Sequence, residues 1–346
     1  MNIKIVGIDL AKNVFQICAL NRANKVIFNR SVTRARLMHE IRQLPQTVIA
    51  MEACSTAHYW GRKCAELGHE VRLLPAQHVR AFVRNGKSDA KDALAICEAA
   101  ERPDIHLVPI KSTEQLDLQV LHRARQRYVQ MRTALANQIR GIAREYGVYF
   151  LQGVRALDRA VPAALEDADN ELSASTRSVL QMLLEELHEL TAKKATLDRQ
   201  LQALARSHPH YERLLELPGF GPVVASAFIA AIGTGRQFRR GRQVAAWAGL
   251  VPRQHSSGGK LQLYGITKNG DRYLRTQLIH GARAVTTWVL NRPQKTDPMA
   301  RWVRQLVARR GKNKALVALA NKMARIGWAV IGHDEPYRPE KAFAAR

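Results

Sequence analysis

The chain has 346 residues, which is enough for two or three domains with a sizeable hydrophobic core. A hydrophobic content of 46% excludes a wholly disordered protein. The formal net charge of +25 favours a polyanionic partner, either nucleic acid or an anionic membrane surface.

The membrane alternative is the weaker one, because the sequence shows no signal peptide and no apolar run approaching the roughly 20 residues of a membrane span. The cysteines form no C-x-x-C pair and have no histidines at zinc-site spacing. They are Cys18, Cys54, Cys64 and Cys97. We therefore expect reduced core cysteines in a cytoplasmic protein.

Residues 1–111 alternate strand and helix patterns. Predicted strands cover 3–11, 14–20, 25–32, 47–53 and 70–75, predicted helices cover 34–42, 56–67 and 90–100, and a short edge strand covers 105–110. Two or three neighbouring strands followed by alternating strands and helices predict an α/β domain with a mixed sheet.

Residues 112–207 carry a helical repeat instead. Apolar residues recur at steps of three and four between 112 and 146 and again between 180 and 204, with an Ala/Asp-rich link at 157–170. The repeat predicts two long helices, which either pair as a coiled coil or form the core of a helix bundle.

Residues 208–346 are basic and mostly helical. From Arg206 to the end, 25 lysines and arginines stand against seven aspartates and glutamates. Leu217 to Pro222 predicts a helix-hairpin-helix, whose second helix would offer free N–H groups to a phosphate, with an ordinary helix–helix turn as the alternative. Further helices are predicted at 223–232, 243–248, 271–290 and 298–331, the last interrupted at 309–314, with a frayed tail after Gly332.

Four carboxylates fall at element ends in the N-terminal region. Asp9 and Glu52 end apolar strands, and Asp89 and Asp92 share one face at a helix start. A carboxylate at the end of a buried strand is costly unless a metal or a charged partner occupies the site. Taken alone, each could be a turn or cap residue. Together they predict a Mg²⁺ site, since this ion prefers carboxylate oxygens.

A hydroxyl pair, Ser256 and Ser257, lies in a Gly-rich loop that we expect to be flexible. An alcohol among cations suits either attack on a phosphodiester or phosphate binding. The cations expected to bind nucleic acid are Arg239, Arg240, Arg242, Arg253, Lys260, Lys268, Arg272 and Arg275. By contrast, Gly86-Lys87-Ser88 is no P-loop, because Ala81 stands where that motif needs a glycine, so no nucleotide cofactor is expected.

Several of these motifs occur together in a known family. The chain resembles the DEDD-type, Piv-like DNA invertases and related insertion-sequence transposases in segments spread over nearly its whole length. The matching segments are 7–12, 51–53, 87–93, 217–221, 246–252 and 256–258.

The resemblance implies an N-terminal RuvC/RNase H-like domain whose acidic residues Asp9, Glu52, Asp89 and Asp92 bind Mg²⁺. It implies an RNA-guided recombinase of bacteria, acting at the nucleoid, in which a structured bridge or seeker RNA pairs with donor and target DNA. A serine attacks the DNA and forms a phosphoserine link; by position it matches Ser257, which Ser256 adjoins. The active site would combine the acidic domain of one subunit with the serine domain of another, in a dimer or tetramer.

Two other functions remain open at this stage. A metal-dependent junction endonuclease would need the four carboxylates but would use water in place of Ser257. A non-catalytic nucleic-acid-binding protein would need only the basic region.

Overall fold

The computed structural model describes residues 2–83 and 88–344. The chain divides into two compact units, Met1–Thr113 and Glu114–Arg346, which are described separately below. The sequence predicted three segments, 1–111, 112–207 and 208–346. That three-way division stays a prediction. In the structure, residues of the second and third segments share one hydrophobic core within the second unit.

The first unit is built on a five-stranded mixed sheet, as the sequence predicted. Its strands are β1 (Ile3–Asp9), β2 (Val14–Asn21), β3 (Val26–Thr33), β4 (Val48–Glu52) and β5 (Glu70–Leu74), in the order β3-β2-β1-β4-β5. The first three strands are antiparallel neighbours, whereas β4 runs parallel to both β1 and β5. The predicted edge strand at 105–110 is only an isolated bridge between Leu73 and Val108.

Helices cover both faces of the sheet. They are α1 (Leu37–Arg42), α2 (Ala57–Glu66), α3 (Ala76–Val79) and α4 (Asp89–Ala100), with a 3₁₀ turn at Arg80–Phe82. Side chains alternate along each strand, so Ile8 packs with Trp60 of α2 while Ile5 packs with Cys97 of α4. Gly7 lets α4 approach closely, because a Cβ there would lie 2.5 Å from the carbonyl oxygen of Ala93.

The second unit begins with an antiparallel pair of long helices, α5 (Thr113–Glu145) and α7 (Ala174–Arg206). At one end Leu118 and Leu201 share a core, and at the other end Ile139 and Leu187 share another. Between these ends, the Nε of Arg125 lies 2.5 Å from the carboxylate of Asp198. Near Ile139 the two long helices pack with a third helix. At this end, therefore, they form the core of a helix bundle, which was the second of the two predicted arrangements.

That third helix is α6 (Val154–Glu166), and it corrects the predicted link at 157–170. Its Ala/Asp-rich composition suggested a linker, but Leu157 and Val161 lie one turn apart and are both fully buried. The helical spacing of these apolar residues was therefore a better guide to the structure of this segment than its Ala/Asp-rich composition.

The rest of the unit is helical except for one hairpin. Its elements are α8 (Tyr211–Leu215), α9 (Pro222–Ile232), α10 (Gly241–Trp247), β6 (Pro252–Gln254), β7 (Leu263–Ile266), α11 (Arg272–Leu290), α12 (Pro298–Arg310), α13 (Lys312–Gly332) and α14 (Pro339–Ala342). The turn between α8 and α9 packs on α11. Gly219 has φ +82°, and a Cβ there would lie 2.9 Å from the carbonyl oxygen of Gly281.

The C-terminal helices are held in the core. Among the described residues, α13 is the one helix long and apolar enough to cross a membrane, but 56% of its most apolar window is buried, as expected of a core helix. The tail after Gly332 was predicted to fray, and this was wrong for its last turn. Phe343 is only 5% exposed and packs edge-on against Trp302, with 5.7 Å between ring centroids.

Candidate active site and nucleic-acid surface

Two predicted site residues end adjacent parallel strands of the first unit. Ile8 pairs with Met51 in the β1–β4 register, so Asp9 and Glu52 follow at the same level. Ile5 and Ala50, an even number of residues earlier on the two strands, pack against α4. By strand alternation, the side chains of Asp9 and Glu52 therefore lie on the side of the sheet that α4 covers.

The other two acidic residues lie in the first turn of α4. Ser88 is the N-cap of this helix, and its Oγ accepts a hydrogen bond of 3.4 Å from the backbone N–H of Lys91. The carboxylate oxygens of Asp9, Asp89 and Asp92 lie within 4.8 Å of one another. The structure thus brings three of the four acidic residues together. Lys87, from the same sequence motif, lies outside the described residues.

Glu52 is half-buried and lies outside this three-residue group. It nevertheless shares a neighbour with the group. Burial raises the pKa of the Cys54 thiol, and the negative charges of Glu52 and then Asp9 raise it further. Both carboxylates therefore act electrostatically on the same thiol, and Glu52 lies at the margin of the acidic group.

Cys54 packs against the core that α2 shares with the sheet, in line with its assignment to the core, but it also lies close enough to Glu52 and Asp9 for their charges to act on its thiol, which the sequence analysis did not foresee. Its position two residues after Glu52 was the available signal. The raised pKa favours the protonated thiol, and sulfur is a soft ligand, whereas the neighbouring carboxylates offer hard oxygen donors. The donors offered by the site are then carboxylate oxygens, which fit a hard divalent cation such as Mg²⁺.

The serine loop is an ordered β-hairpin, not the flexible loop expected from its glycines. Strands β6 and β7 pair antiparallel, and Ser257 and Lys260 form a further bridge at the tip. Gly258 and Gly259 have φ values of 55° and 75°. Two successive residues in the left-handed region form a type I′ turn, which matches the twist of a hairpin and strongly favours glycine.

The two serines differ in their hydrogen bonding, although both are exposed. The Oγ of Ser256 accepts a bond of 3.0 Å from the side-chain amide of Gln254. Within residues 2–83 and 88–344, the Ser257 hydroxyl has no hydrogen-bond partner, and the residue contributes its carbonyl to the turn, 3.0 Å from the N–H of Lys260. Ser257 is therefore the hydroxyl left accessible at the tip.

Seven of the eight predicted nucleic-acid-binding cations are exposed. They are Arg239, Arg240, Arg242, Arg253, Lys260, Lys268 and Arg272. Arg253 lies over the ring of Tyr264, with 5.6 Å from Cζ to the ring centroid.

Arg275 differs from the prediction. It is only 8% exposed, and its Nη1 donates to the carbonyl oxygens of Ala248 at 3.1 Å and Asn269 at 2.7 Å. Its guanidinium thus links the two segments that flank the hairpin by donating to their buried carbonyl groups. It is therefore not available to a phosphate.

The positive charge of this region is almost unopposed. Between Leu217 and His333 the sequence contains two acidic residues, Asp271 and Asp297. Both are N-caps: Asp271 accepts from the N–H of Leu274 at 2.9 Å and Asp297 from that of Ala300 at 3.0 Å. The exposed arginines and lysines therefore produce a positive potential that attracts polyanions.

Two family models match the chain, one in its N-terminal part and one in its C-terminal part. A model described as "Transposase", for the DEDD transposases of IS110 elements, matches residues 6–148, and one described as "Transposase IS116/IS110/IS902 family" matches residues 211–297. The first range contains the four acidic residues and the second contains the hairpin.

Relatives match along nearly the whole chain. It is 48% identical over 340 residues to a "Probable family 20 transposase" of Pseudomonas aeruginosa, covering 98% of this chain and all of that protein. It is 41% identical to the "Transposase for insertion sequence element IS1111A" of Coxiella burnetii, covering 97% and 92%. It is 23% identical to the "Pilin gene-inverting protein" of Moraxella bovis, covering 96% and 97%. On this evidence the chain belongs to the IS110/IS116 family of transposases, enzymes that process the DNA of insertion elements.

Proposed function

We propose that this transposase cleaves and rejoins DNA with the hydroxyl of Ser257 as nucleophile, beside a Mg²⁺ site formed by Asp9, Asp89 and Asp92 with Glu52 at its margin. The observation that carries the proposal is the convergence of three carboxylates from a strand end and a helix start within 4.8 Å. Like charges this close repel one another unless a cation or a proton binds between them, and a divalent cation can contact all three carboxylates at once.

The acidic residues are supplied by rigid elements. Asp9 follows six residues of β-strand, and Asp89 and Asp92 are fixed by a helix that packs directly on Gly7. Bound Mg²⁺ would polarise a phosphate oxygen and neutralise the charge that develops around phosphorus. The role of the chain itself is to present the carboxylates at fixed spacing.

Ser257 supplies the attacking oxygen in this proposal. A bond forms between its Oγ and phosphorus while the bond from phosphorus to one strand oxygen breaks. The hydroxyl proton is released, and the departing strand oxygen takes up a proton. The phosphoserine link conserves the phosphodiester energy, so a second strand end can reverse the step and rejoin without ATP.

The exposed cations of the second unit would hold the nucleic-acid backbone. Arg253 and Lys260 flank the serine on the hairpin, while Arg239, Arg240 and Arg242 lie around the start of α10. Phosphate contacts position a strand but do not read its sequence. A guide RNA that pairs with donor and target DNA would supply the sequence recognition, and the acidic and serine parts would come from different subunits of a dimer or tetramer.

The test is to trap the covalent intermediate. Wild-type protein, Ser257→Ala and the matched control Ser256→Ala are incubated with element-end DNA, co-purified RNA and Mg²⁺, and protein–DNA adducts are resolved under denaturing conditions. We expect adducts with the wild type and with Ser256→Ala but none with Ser257→Ala. Strand cleavage that persists in Ser257→Ala would instead identify hydrolysis by water, as in a junction endonuclease.

A further inference from the structure

We propose that the outer face of α11 is a second nucleic-acid contact, at which an unpaired base stacks on Trp288. This inference deepens the proposed function, because it assumes that the substrate complex contains single-stranded nucleic acid. It concerns residues other than those of the serine hairpin and the acidic group, so each can be tested on its own.

The inner and outer faces of α11 are clearly distinguished by burial. Exposed residues recur at steps of three and four along the helix, which places them in one stripe. They are Arg272, Thr276, His280, Arg283, Ala284, Thr287, Trp288, Leu290 and Asn291. The second half of the stripe except Leu290, together with Arg292, lines an open groove of about 640 Å³.

Trp288 is unusual among the five tryptophans of the chain. It is 38% exposed, whereas Trp60 and Trp328 are 4% and 6% exposed and the remaining two are half-buried. A large aromatic ring on the solvent face of a helix exposes apolar surface without contributing to the core. Nucleic-acid bases stack on such rings whatever their sequence, because every base has a π-face.

The cations around this ring suit a phosphate backbone. The Cζ of Arg292 lies 4.8 Å from the ring centroid of Trp288. Arg283 lies about one turn away, and its Nη1 donates to the Nδ1 of His280 at 3.4 Å. A guanidinium stacked on an indole keeps its N–H edges free for phosphate oxygens, and the 38% of Trp288 that stays exposed is the surface available to a base.

The charge of the surrounding chain argues for a polyanion. Between Asp271 and Asp297 no acidic residue occurs, and both of these carboxylates are engaged as N-caps. An aromatic ring beside two arginines, in a groove lined by no acidic residue of the described chain, therefore matches a nucleotide, which offers one flat apolar face and one negative charge. A paired base in a duplex hides its face in the stack, so the groove fits a single strand.

The experiment measures binding of the full-length protein to three labelled probes: oligouridylate, oligothymidylate and a duplex. Each probe is about 12 nucleotides long, within the roughly 4–16 nucleotides that single-strand sites usually cover. The variants are Trp288→Ala, Trp288→Phe and Leu290→Ala. Leu290 is the matched control, because it is also 38% exposed at the same helix end but does not line the groove.

We expect Trp288→Ala to weaken single-strand binding about tenfold, Trp288→Phe to weaken it less, and Leu290→Ala to leave it unchanged. A 5-bromouridine probe should cross-link to Trp288. The comparison of oligouridylate with oligothymidylate decides whether the strand is RNA or DNA.

The inference would be overturned if Trp288→Ala bound the single-stranded probes as tightly as the wild type does. It would also be overturned if Trp288→Ala lost as much affinity for the duplex as for the single strands, or if Leu290→Ala lost as much single-strand affinity as Trp288→Ala. Because the same variant leaves Ser257 intact, adduct formation by Trp288→Ala on element-end DNA shows separately whether the proposed chemistry holds.

Discussion

The acidic residues and the serine hairpin are constructed in opposite ways. Asp9 and Asp92 belong to a strand and a helix that pack against each other across the closed face of a sheet. The hairpin is exposed along both strands and in the connection between them, with Leu261 at 65% and Leu263 at 57% exposure. A two-stranded hairpin without a core is marginally stable in water.

This difference separates the tasks of the two regions. The carboxylates are set at fixed spacing before any substrate binds, which is what a metal site requires. The serine lies on a hairpin whose exposed apolar residues lack a partner in the described second unit, so under the proposed function its working position would be set on assembly. The chemistry would then start only when nucleic acid and subunits are in place.

The largest expected effect comes from the acidic side of this comparison. Asp9→Asn keeps the shape of the side chain but removes one of three close negative charges. We expect recombination to fall at least about a thousandfold, because metal binding contributes several kcal/mol to transition-state stabilisation. Assays of recombination between element ends and target check this.

Thermal unfolding gives a readout that does not depend on activity. Mg²⁺ should raise the Tm of the wild type, and the increase should be lost in Asp9→Asn and Asp89→Asn. Glu52→Gln should lose only part of it, since Glu52 lies outside the closest group. An equal Mg²⁺ effect in the wild type and Asp9→Asn would exclude metal binding at these residues.

Acid should destabilise the second unit through a buried histidine. His122 is 3% exposed, and burial, aided by the charge of Arg125, lowers its pKa from 6.5 to about 4. Between these pH values His122 is protonated in the unfolded chain but not in the folded chain. The free energy of unfolding therefore falls as the pH drops through this window. The loss approaches about 3 kcal/mol at its lower end.

The check is a series of Tm measurements across that window. His122→Phe should be less stable at neutral pH, because it leaves the Tyr273 hydroxyl without the ring nitrogen 2.9 Å away. Its Tm should nevertheless vary less with pH than that of the wild type. The exposed His255→Gln should keep the wild-type pH dependence, and if His122→Phe also keeps it, another group is responsible.

Two glycine substitutions compare the sheet that supports the acidic residues with the hairpin that carries the serine. A Cβ at Gly7 would lie 2.5 Å from the oxygen of Ala93 and 2.6 Å from the sulfur of Cys97, so Gly7→Ala should cost about 1–3 kcal/mol and displace the acidic residues. A Cβ at Gly258 meets nothing within 4 Å, but φ is +55°. Gly258→Ala should therefore lower activity about tenfold, through a turn strain of about 1 kcal/mol, with little change in Tm.

Gly258→Asn is the control, because asparagine tolerates the left-handed region and Asn-Gly is a favoured type I′ turn. It should retain more activity than Gly258→Ala. Equal losses in Tm for Gly7→Ala and Gly258→Ala would show that the hairpin is part of the core.

The limits of prediction from sequence follow the same division. Asp9 and Glu52 could be placed because apolar runs end at them, and Asp89 because a Ser-Asp helix start precedes an alanine-rich helix. The hairpin was missed, since Gly258-Gly259 has the composition of a flexible linker and only the two positive φ values reveal a turn. Composition alone does not fix the sign of φ at a glycine.

The burial of Arg275 was missed for another reason. Its charge suggested a phosphate contact, yet it lies three residues before Leu278 and seven before Ala282, both fully buried. The helical period therefore placed it on the inner face of α11. Periodicity would have been the better guide than residue type, because a long guanidinium can be buried if its donors meet carbonyls.

The smallest predicted effect separates this arginine from an exposed one. Arg240→Gln should weaken nucleic-acid binding slightly and reduce the slope of log K against log salt by about 1, the signature of one lost phosphate contact. Arg275→Gln should leave that slope unchanged while lowering Tm, because the carbonyls of Ala248 and Asn269 lose a charged donor. A reduced slope in Arg275→Gln at unchanged Tm would show that Arg275 contacts a phosphate after all. The segment around the hairpin would then have to open when nucleic acid binds.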